Sequence, residues 1–577
     1  MPALPWGFMA ELGMQLKTDL GTSCRAVADR MVSRRTVVQG LAAGAVVGCS
    51  DGPPMTADGA LTPAQLSETV GGVLTTDDTD GHIQSVDEAD LHLLRRISFG
   101  PTLDAVERLK AMGHTAYIEE QLAMRDDAIE LDVLARYPLT ANAPQAIYAT
   151  TVIGGQPYWL HTRQYQNAML YRAAHSRAQL YEVMVDVWND HFNTYLYKNP
   201  VPLKLDFDRT VIRPHALGNF KALLRATVMH GEMLHYLDNH LNRSGAINEN
   251  YARELLELHS LGREGGYGEA DLKALARILS GWTYVRSPAN AWRPTDALDY
   301  GQAVFDAAGH DTEPKTFLGE YFPAGGGAEE LDRALSIILD HPGTARHVAH
   351  RLCCRLVADE PPPRLVAAVA QRYTATGGDI PSMLRTVLRS AEFRGSARQK
   401  LKRPIHALIS AVRATGVDRL DQTLNYGLYG VAHNPGQLFQ HLEQAGQAPF
   451  TWTPPDGFPD TAAYWSNTNT LLYQQKLIVR LAASRSYSHL LSDPLVAREQ
   501  GLTVADDVAY ATTAREAVSH AIANLLLGPM PAEAVARAID YMADGGDPDA
   551  PRTRSELTPR IQGLVLALLS SPWFLDK

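Results

Sequence analysis

From about Val86 onward the chain is written in a helical period. Asp87 to Ile97 and Leu103 to Met112 carry apolar residues three and four positions apart, and Phe99-Gly100-Pro101-Thr102 separates them. The same spacing predicts helices over 115–123, 160–175, 177–196, 216–227, 249–262, 269–281, 328–340, 342–358, 363–375, 380–391, 404–414, 468–485, 512–526, 531–543 and 556–570. Runs of alternating β-branched residues are almost absent. The expected fold class is therefore all-α, a large multi-helix body over 86–577 with long irregular loops at 283–327 and 444–466. Loops of that length inside a compact domain carry function or are disordered. Gly377-Gly378-Asp379 reads as a helix stop followed by a cap, not as a nucleotide signature.

The first part of the chain has a different pattern. Ser33-Arg34-Arg35-Thr36-Val37-Val38 leads into a weakly apolar, Gly/Ala-rich run from Leu41 to Gly48. A basic end followed by an apolar stretch too short to span a bilayer reads as a targeting segment. The paired arginines resemble a twin-arginine export signal. The run ends Val46-Val47-Gly48-Cys49, which looks like a bacterial lipobox with Cys49 as the lipidated residue. Residues 1–48 are thus the expected signal region. Residues 1–30 are a candidate misassigned start, because Met31 would give a signal of ordinary length. Residues 49–85 are the expected lipidated Cys and flexible tether, rich in Gly, Thr and Asp. The expected location is exported, on the periplasmic or cell-surface side, with the outer membrane favoured in a Gram-negative cell because Ser50, not Asp, follows the Cys.

Charge narrows the partners. The 577 residues carry 53 Lys+Arg against 64 Asp+Glu, a net charge of -11. Removal of residues 1–48 takes away 5 basic and 3 acidic side chains and leaves 48 against 61, or -13. A nucleic-acid partner is not expected without a basic face. Membrane attachment through Cys49 cannot lean on a polybasic patch, so a second acyl group is required. Of the 4 cysteines, Cys24 precedes the signal, Cys49 is the anchor, and Cys353 and Cys354 are adjacent. Neighbouring cysteines make a strained ring, so the body is expected to stand without disulfides. No C-x-x-C pair, G-x-S-x-G elbow, phosphate-binding G-x-x-x-x-G-K-[ST], H-E-x-x-H or G-x-G-x-x-G is present.

Two predicted helices carry the chemistry. On the first, Glu182, Asp186, Asn189 and Asn193 fall on one stripe at about 100° per residue, with no Lys or Arg among them. His191 falls on the other side with Leu180, Met184 and Val187. On the second, Asn248 can cap the start, and Asn250, Glu254 and Glu257 share a stripe flanked by Arg253. Two carboxylates at i and i+3 can hold a cation or act as acid and base when a partner helix faces them. A structural Arg–Glu network explains the same residues. Glu254, Glu257 and His191 are the candidate catalytic set, with Asn193, Asn250 and Arg253 orienting them. His310 and Asp311 in the long loop, and Trp452 on the Pro-rich one, are candidate binding residues. The metal is unknown. A divalent ion is compatible with the carboxylates.

Several motifs also share a family likeness. Arg95-Arg96-Ile97-Ser98-Phe99-Gly100-Pro101-Thr102, Trp188-Asn189-Asp190-His191-Phe192, Asn248-Glu249-Asn250-Tyr251-Ala252-Arg253-Glu254-Leu255-Leu256-Glu257-Leu258, Ser280-Gly281-Trp282-Thr283 and His310-Asp311 resemble the bacterial family called domain of unknown function 1800. Lys402-Arg403-Pro404 and Pro454-Pro455-Asp456-Gly457-Phe458-Pro459-Asp460 extend the resemblance, which runs from about residue 88 to 575. It implies a large, mostly helical exported protein, often accompanied by a sulfatase-like exported partner. It implies no mechanism.

Two readings remain open from the sequence. One is a hydrolytic or metal-assisted enzyme acting on an envelope polymer or glycan. The other is a non-catalytic envelope scaffold or binding protein. They differ in geometry. An enzyme needs the acidic stripes to open onto shared accessible space, whereas a scaffold pairs them with arginines in a closed interior.

Overall fold

The computed structural model describes residues 86–198, 203–286, 300–416, 442–483 and 511–577. The signal region, Cys49 and the tether lie outside the described residues. The chain divides into two compact units. One comprises residues 86–484 with 575–577, and residues 511–574 are the described part of the other. The fold is all-α, with two short antiparallel strand pairs.

In the larger unit the elements used below are α1 (Glu88–Ile97), α2 (Leu103–Ala123), α3 (Asp127–Arg136), α4 (Trp159–His175), α5 (Gln179–His191), α6 (Phe220–Val228), α7 (Asn250–Glu254), α8 (Glu269–Leu279), α9 (Glu329–Asp340), α10 (Pro342–Leu356), α11 (Pro363–Thr376), α12 (Ile380–Leu388), α13 (Pro404–Ala414) and α14 (Thr468–Ala483). Local chemistry sets many boundaries. Asp87 caps α1 by accepting the Ala89 N–H at 2.8 Å, and Arg95 and Arg96 sit in its last turn, where positive charge suits the helix dipole. α2 bridges two predicted segments across a break at Gly113, whose φ is +75°. α11 ends at Gly377 in the left-handed region, and Asp379 then caps α12 through the Ser382 N–H at 2.8 Å.

Two predicted helices end early. The 177–196 pattern stops at His191, because Phe192 leaves helical geometry, so Asn193 lies in the loop beyond α5. The 249–262 pattern ends at His259 after a π turn over Leu255–His259. There the Ser260 hydroxyl donates to the Leu255 carbonyl at 2.5 Å and closes the helix. The long 283–327 segment is not wholly irregular. β1 (Trp282–Tyr284) pairs with β2 (Ala303–Phe305), and β3 (Lys315–Phe317) pairs with β4 (Glu320–Phe322). Leu318 and Gly319 both have positive φ, 48° and 82°, the geometry of a two-residue hairpin turn whose twist suits its strands.

The core of this unit surrounds α5. Leu180, Val183, Met184, Val187 and Trp188 are buried, and so are Glu182, Asp186 and Asn189. A helix buried on all sides must bring or receive partners for every charge it carries. In the smaller unit α15 (Ala514–Leu525), α16 (Ala532–Ala543) and α17 (Arg554–Leu569) pack on one another, α15 and α17 each opened by a Thr–Glu capping box. Cys353 and Cys354 are both unpaired. No helix among the described residues is long and apolar enough to cross a membrane.

Candidate functional site

The carboxylates of α5 are engaged by basic groups from distant parts of the chain. Glu182, 4 % exposed, takes a bidentate pair from Arg213, with both N···O distances at 3.1 Å. The same guanidinium reaches Asp208 at 3.0 Å, and Asp208 also accepts from the Tyr165 hydroxyl at 2.7 Å and the Asn189 amide at 2.5 Å. One turn on, Asp186 accepts from Arg355 and Arg403, with His406 beside it. Asp190 takes the other arm of Arg403. Burial pushes the Asp186 carboxyl up, but Arg403 and Arg355 pull harder and hold it well below the usual carboxylate range. This is an ionic cluster in which each acid of α5 has an arginine partner; in contrast to Asp186, burial raises the Asp190 carboxyl against the pull of Arg403.

The loop of residues 449–460 seats on the end of α5. The Asn193 amide donates to the carbonyls of Trp452 at 3.0 Å and Pro454 at 2.6 Å, and the Tyr236 hydroxyl donates to that of Thr453 at 2.5 Å. Gly457 has a φ of +76° and lies so close that a Cβ there would stand 2.0 Å from the Asp190 carbonyl oxygen. Asp460 receives Arg355 at 3.4 Å, and Lys400 donates to its carbonyl at 2.7 Å. The aromatics of this loop pack on each other: Trp452 lies against Phe458 and Tyr464, and its indole N–H donates to Asp456 at 2.9 Å.

Glu254 and Glu257 are set apart from that cluster. Both are half-buried. Glu257 pairs with Arg253 at 3.4 Å and Arg263 at 3.9 Å, and Arg253 also holds Glu269 with both arms at 3.3 Å. Glu254 makes no hydrogen bond or ion pair among the described residues. Burial and the neighbouring Glu257 charge raise its pKa, with Asp456 adding a smaller push. Asn250 positions this turn: its amide donates to the Leu237 carbonyl at 3.1 Å, and its own N–H is capped by Asn248 at 2.9 Å. Glu254 is thus the candidate whose carboxyl is both perturbed and unengaged.

The remaining candidates sit in packed surroundings. The His191 Nε2–H donates to the His259 carbonyl at 3.1 Å, and its ring lies among Trp188, Phe192, Phe220, His259 and His347. Neither ring nitrogen of His259 has a hydrogen-bond partner among the described residues. Burial pulls His259 down to about 3 and His347 to about 4, so these rings are neutral. His310 is buried between the Ser280 carbonyl at 2.8 Å and Glu330 at 3.2 Å, and Lys315 reaches the same Glu330 oxygen at 2.7 Å. Asp311 is clamped by Arg277 at 2.8 and 2.9 Å. Among the described residues no group of three His, Cys, Asp or Glu side chains is placed to hold a metal ion.

Of the cations that complete the site, sequence reasoning named Arg403 only within a family motif and did not single out Arg213 or Arg355. Arg213, Arg355 and Arg403 lie 31, 169 and 217 positions from the acids they meet, beyond any local pattern. It also missed Lys204, wholly buried between Phe207 and Phe450, with ammonium-to-ring distances of 5.1 and 5.3 Å. Its Nζ has no hydrogen-bond partner among the described residues, and burial lowers it to about 8.

The motifs Trp188–Phe192, Lys402–Pro404 and Pro454–Asp460 therefore meet at one place, through Asp190, Arg403 and Gly457. A family model described as Protein of unknown function (DUF1800) matches residues 92–575. The chain belongs to this family. No curated protein and no solved structure matches it. Family membership brings no activity with it, so the geometry of these motifs has to carry the functional argument.

Proposed function

We propose that the protein is an exported, lipid-anchored envelope protein that acts as a non-catalytic scaffold or binding protein. The single observation behind this reading is that α5, the richest acidic element of the candidate site, has Glu182, Asp186 and Asp190 neutralised by Arg213, Arg355 and Arg403 in a closed interior. Such a network fixes how distant segments meet and engages each acid of the helix in an ion pair. The twin-arginine pair and the lipobox at Cys49 support export and anchoring, and the family resemblance supports a sulfatase-like exported partner. The surface around Glu254 and Trp452, where Tyr464 is 42 % exposed, is the part of the site open to such a partner.

One observation favours a second reading, catalysis on an envelope polymer or glycan. Glu254 is unengaged, with its pKa raised by burial and by Glu257, as a general acid requires. Glu257, His191 or a divalent metal would have to act with it. Complementation of a deletion strain separates the two readings. A scaffold tolerates Glu254→Gln at full function, whereas loss of function at normal protein level supports the enzyme. Incorporation of labelled palmitate into the wild type and not into Cys49→Ser checks the anchor, and an unlabelled wild type overturns it.

A further inference from the structure

We propose that the cavity between the start of α2, the junction of α4 with α5 and the end of α13 binds a small oxyanion, a phosphate monoester or a carboxylate, with Arg413 as its main ion-pairing group. The cavity measures about 260 Å³, and its charged lining is Arg108, Arg177 and Arg413 against Asp104, with Tyr117 and His175 beside them. That volume suits a ligand smaller than a typical cofactor.

Arg413 is the reason to expect an anion. Its Nε donates to the Gly100 carbonyl at 2.7 Å and its Nη1 to the Ala174 carbonyl at 2.6 Å. Both acceptors are neutral, and Arg413 makes no ion pair among the described residues. Nη2 makes no hydrogen bond there either. Burial pulls the guanidinium down to about 10, with only the Tyr117 hydroxyl opposing. A half-buried cation held by neutral carbonyls gains from an oxyanion that fits the guanidinium fork.

Two further features point the same way. Arg177 is exposed and makes no side-chain ion pair among the described residues, and Arg108 contributes a charge already shared with Glu120. The start of α2 also lies on the cavity. Thr102 takes the Ala105 N–H at 3.3 Å and both residues line the cavity, so the capped first turn of this helix faces it. None of the lining residues belongs to the α5 cluster or to the Glu254 surface, so this inference stands or falls independently of the proposed function.

The test is calorimetric titration of the full chain with inorganic phosphate and, separately, with acetate, at an ionic strength fixed by sodium chloride. Saturable one-to-one binding of at least one probe is expected. It should weaken tenfold or more in Arg413→Gln, with part recovered in Arg413→Lys, and about threefold in Arg177→Gln. Phosphate binding alone assigns a phosphate monoester, acetate alone a carboxylate, and both the shared oxyanion chemistry. If Arg413→Gln does not fold, Arg177→Gln and Tyr117→Phe decide, because neither side chain supports the backbone there. No saturable binding of either probe, or affinities unchanged across all folded variants, overturns the proposal.

Discussion

Arg403 holds two carboxylates of one helix at once, Asp190 through Nη1 and Asp186 through Nη2. It comes from just before α13 and is 2 % exposed, so it ties that helix to α5 inside the core. Removing it leaves buried Asp186 and half-buried Asp190 each short of a partner. Arg403→Met is expected to lower unfolding free energy by about 3–5 kcal/mol, the usual cost of breaking one side of a buried pair. Arg403→Lys recovers only part, because an ammonium cannot span both acids as the fork does. Denaturant unfolding checks this. A loss below about 1 kcal/mol in Arg403→Met would show that the cluster does not hold the fold.

Gly457 is required twice over. Its φ of +76° disfavours a side chain, and the Asp190 carbonyl fills the space where a Cβ would go. Gly325 is the matched control, with φ +85° and nothing within 4 Å of a built Cβ. Gly325→Ala carries the backbone cost alone, about 1 kcal/mol. Gly457→Ala is expected to exceed it by about 1–3 kcal/mol, because the 449–460 loop must lift off α5. Equal thermal shifts for the two variants would mean that the loop does not need this close seat.

The helical body was legible because helix formation depends on residues three and four apart. The predicted 404–414 matches α13 to the residue, and 468–485 starts where α14 does and agrees with it through Ala483, the last described residue there. The acidic stripe on α5 was legible for the same reason. What it meant was not. Its neutrality depends on Arg213, Arg355 and Arg403, and no local period encodes a contact 169 or 217 residues away. The early stop at His259 was hidden because a π turn has no distinct apolar spacing, and the hairpin at Leu318-Gly319 because a leucine with positive φ gives no turn signal.

Lys204 is a fully buried cation without a hydrogen bond among the described residues. Glu232, Asp208 and Asp190 offset only part of its desolvation, and its pKa falls from 10.5 to about 8. The unfolded chain then binds more protons than the folded one between those values, so this residue makes stability rise as pH climbs from about 8 toward 10.5. Lys204→Met keeps the length and loses the charge. It is expected to match or exceed the wild type in stability at pH 7 and to flatten the alkaline rise. A variant destabilised by more than about 2 kcal/mol at pH 7 would show instead that the ammonium is needed by those three acids.

The histidines around the end of α5 set the acid limb. His259 is lowered from 6.5 to about 3 and His347 to about 4, chiefly by burial, and His191 lies well below 6.5 through burial and the charge of Arg351. Each is neutral in the fold and takes a proton more readily when unfolded. Their contribution is complete above about pH 6.5 and is lost as pH falls toward 3–4, by up to about 1.4 kcal/mol per unit for each group. His259→Phe tests this cleanly, because the ring of His259 makes no hydrogen bond among the described residues and a phenyl can replace it among Phe192 and His191. The variant is expected to lose about one proton's worth of slope between pH 6 and 4, with stability at pH 7.5 equal to or above the wild type. An unchanged acid limb would mean that His259 is protonated in the folded protein.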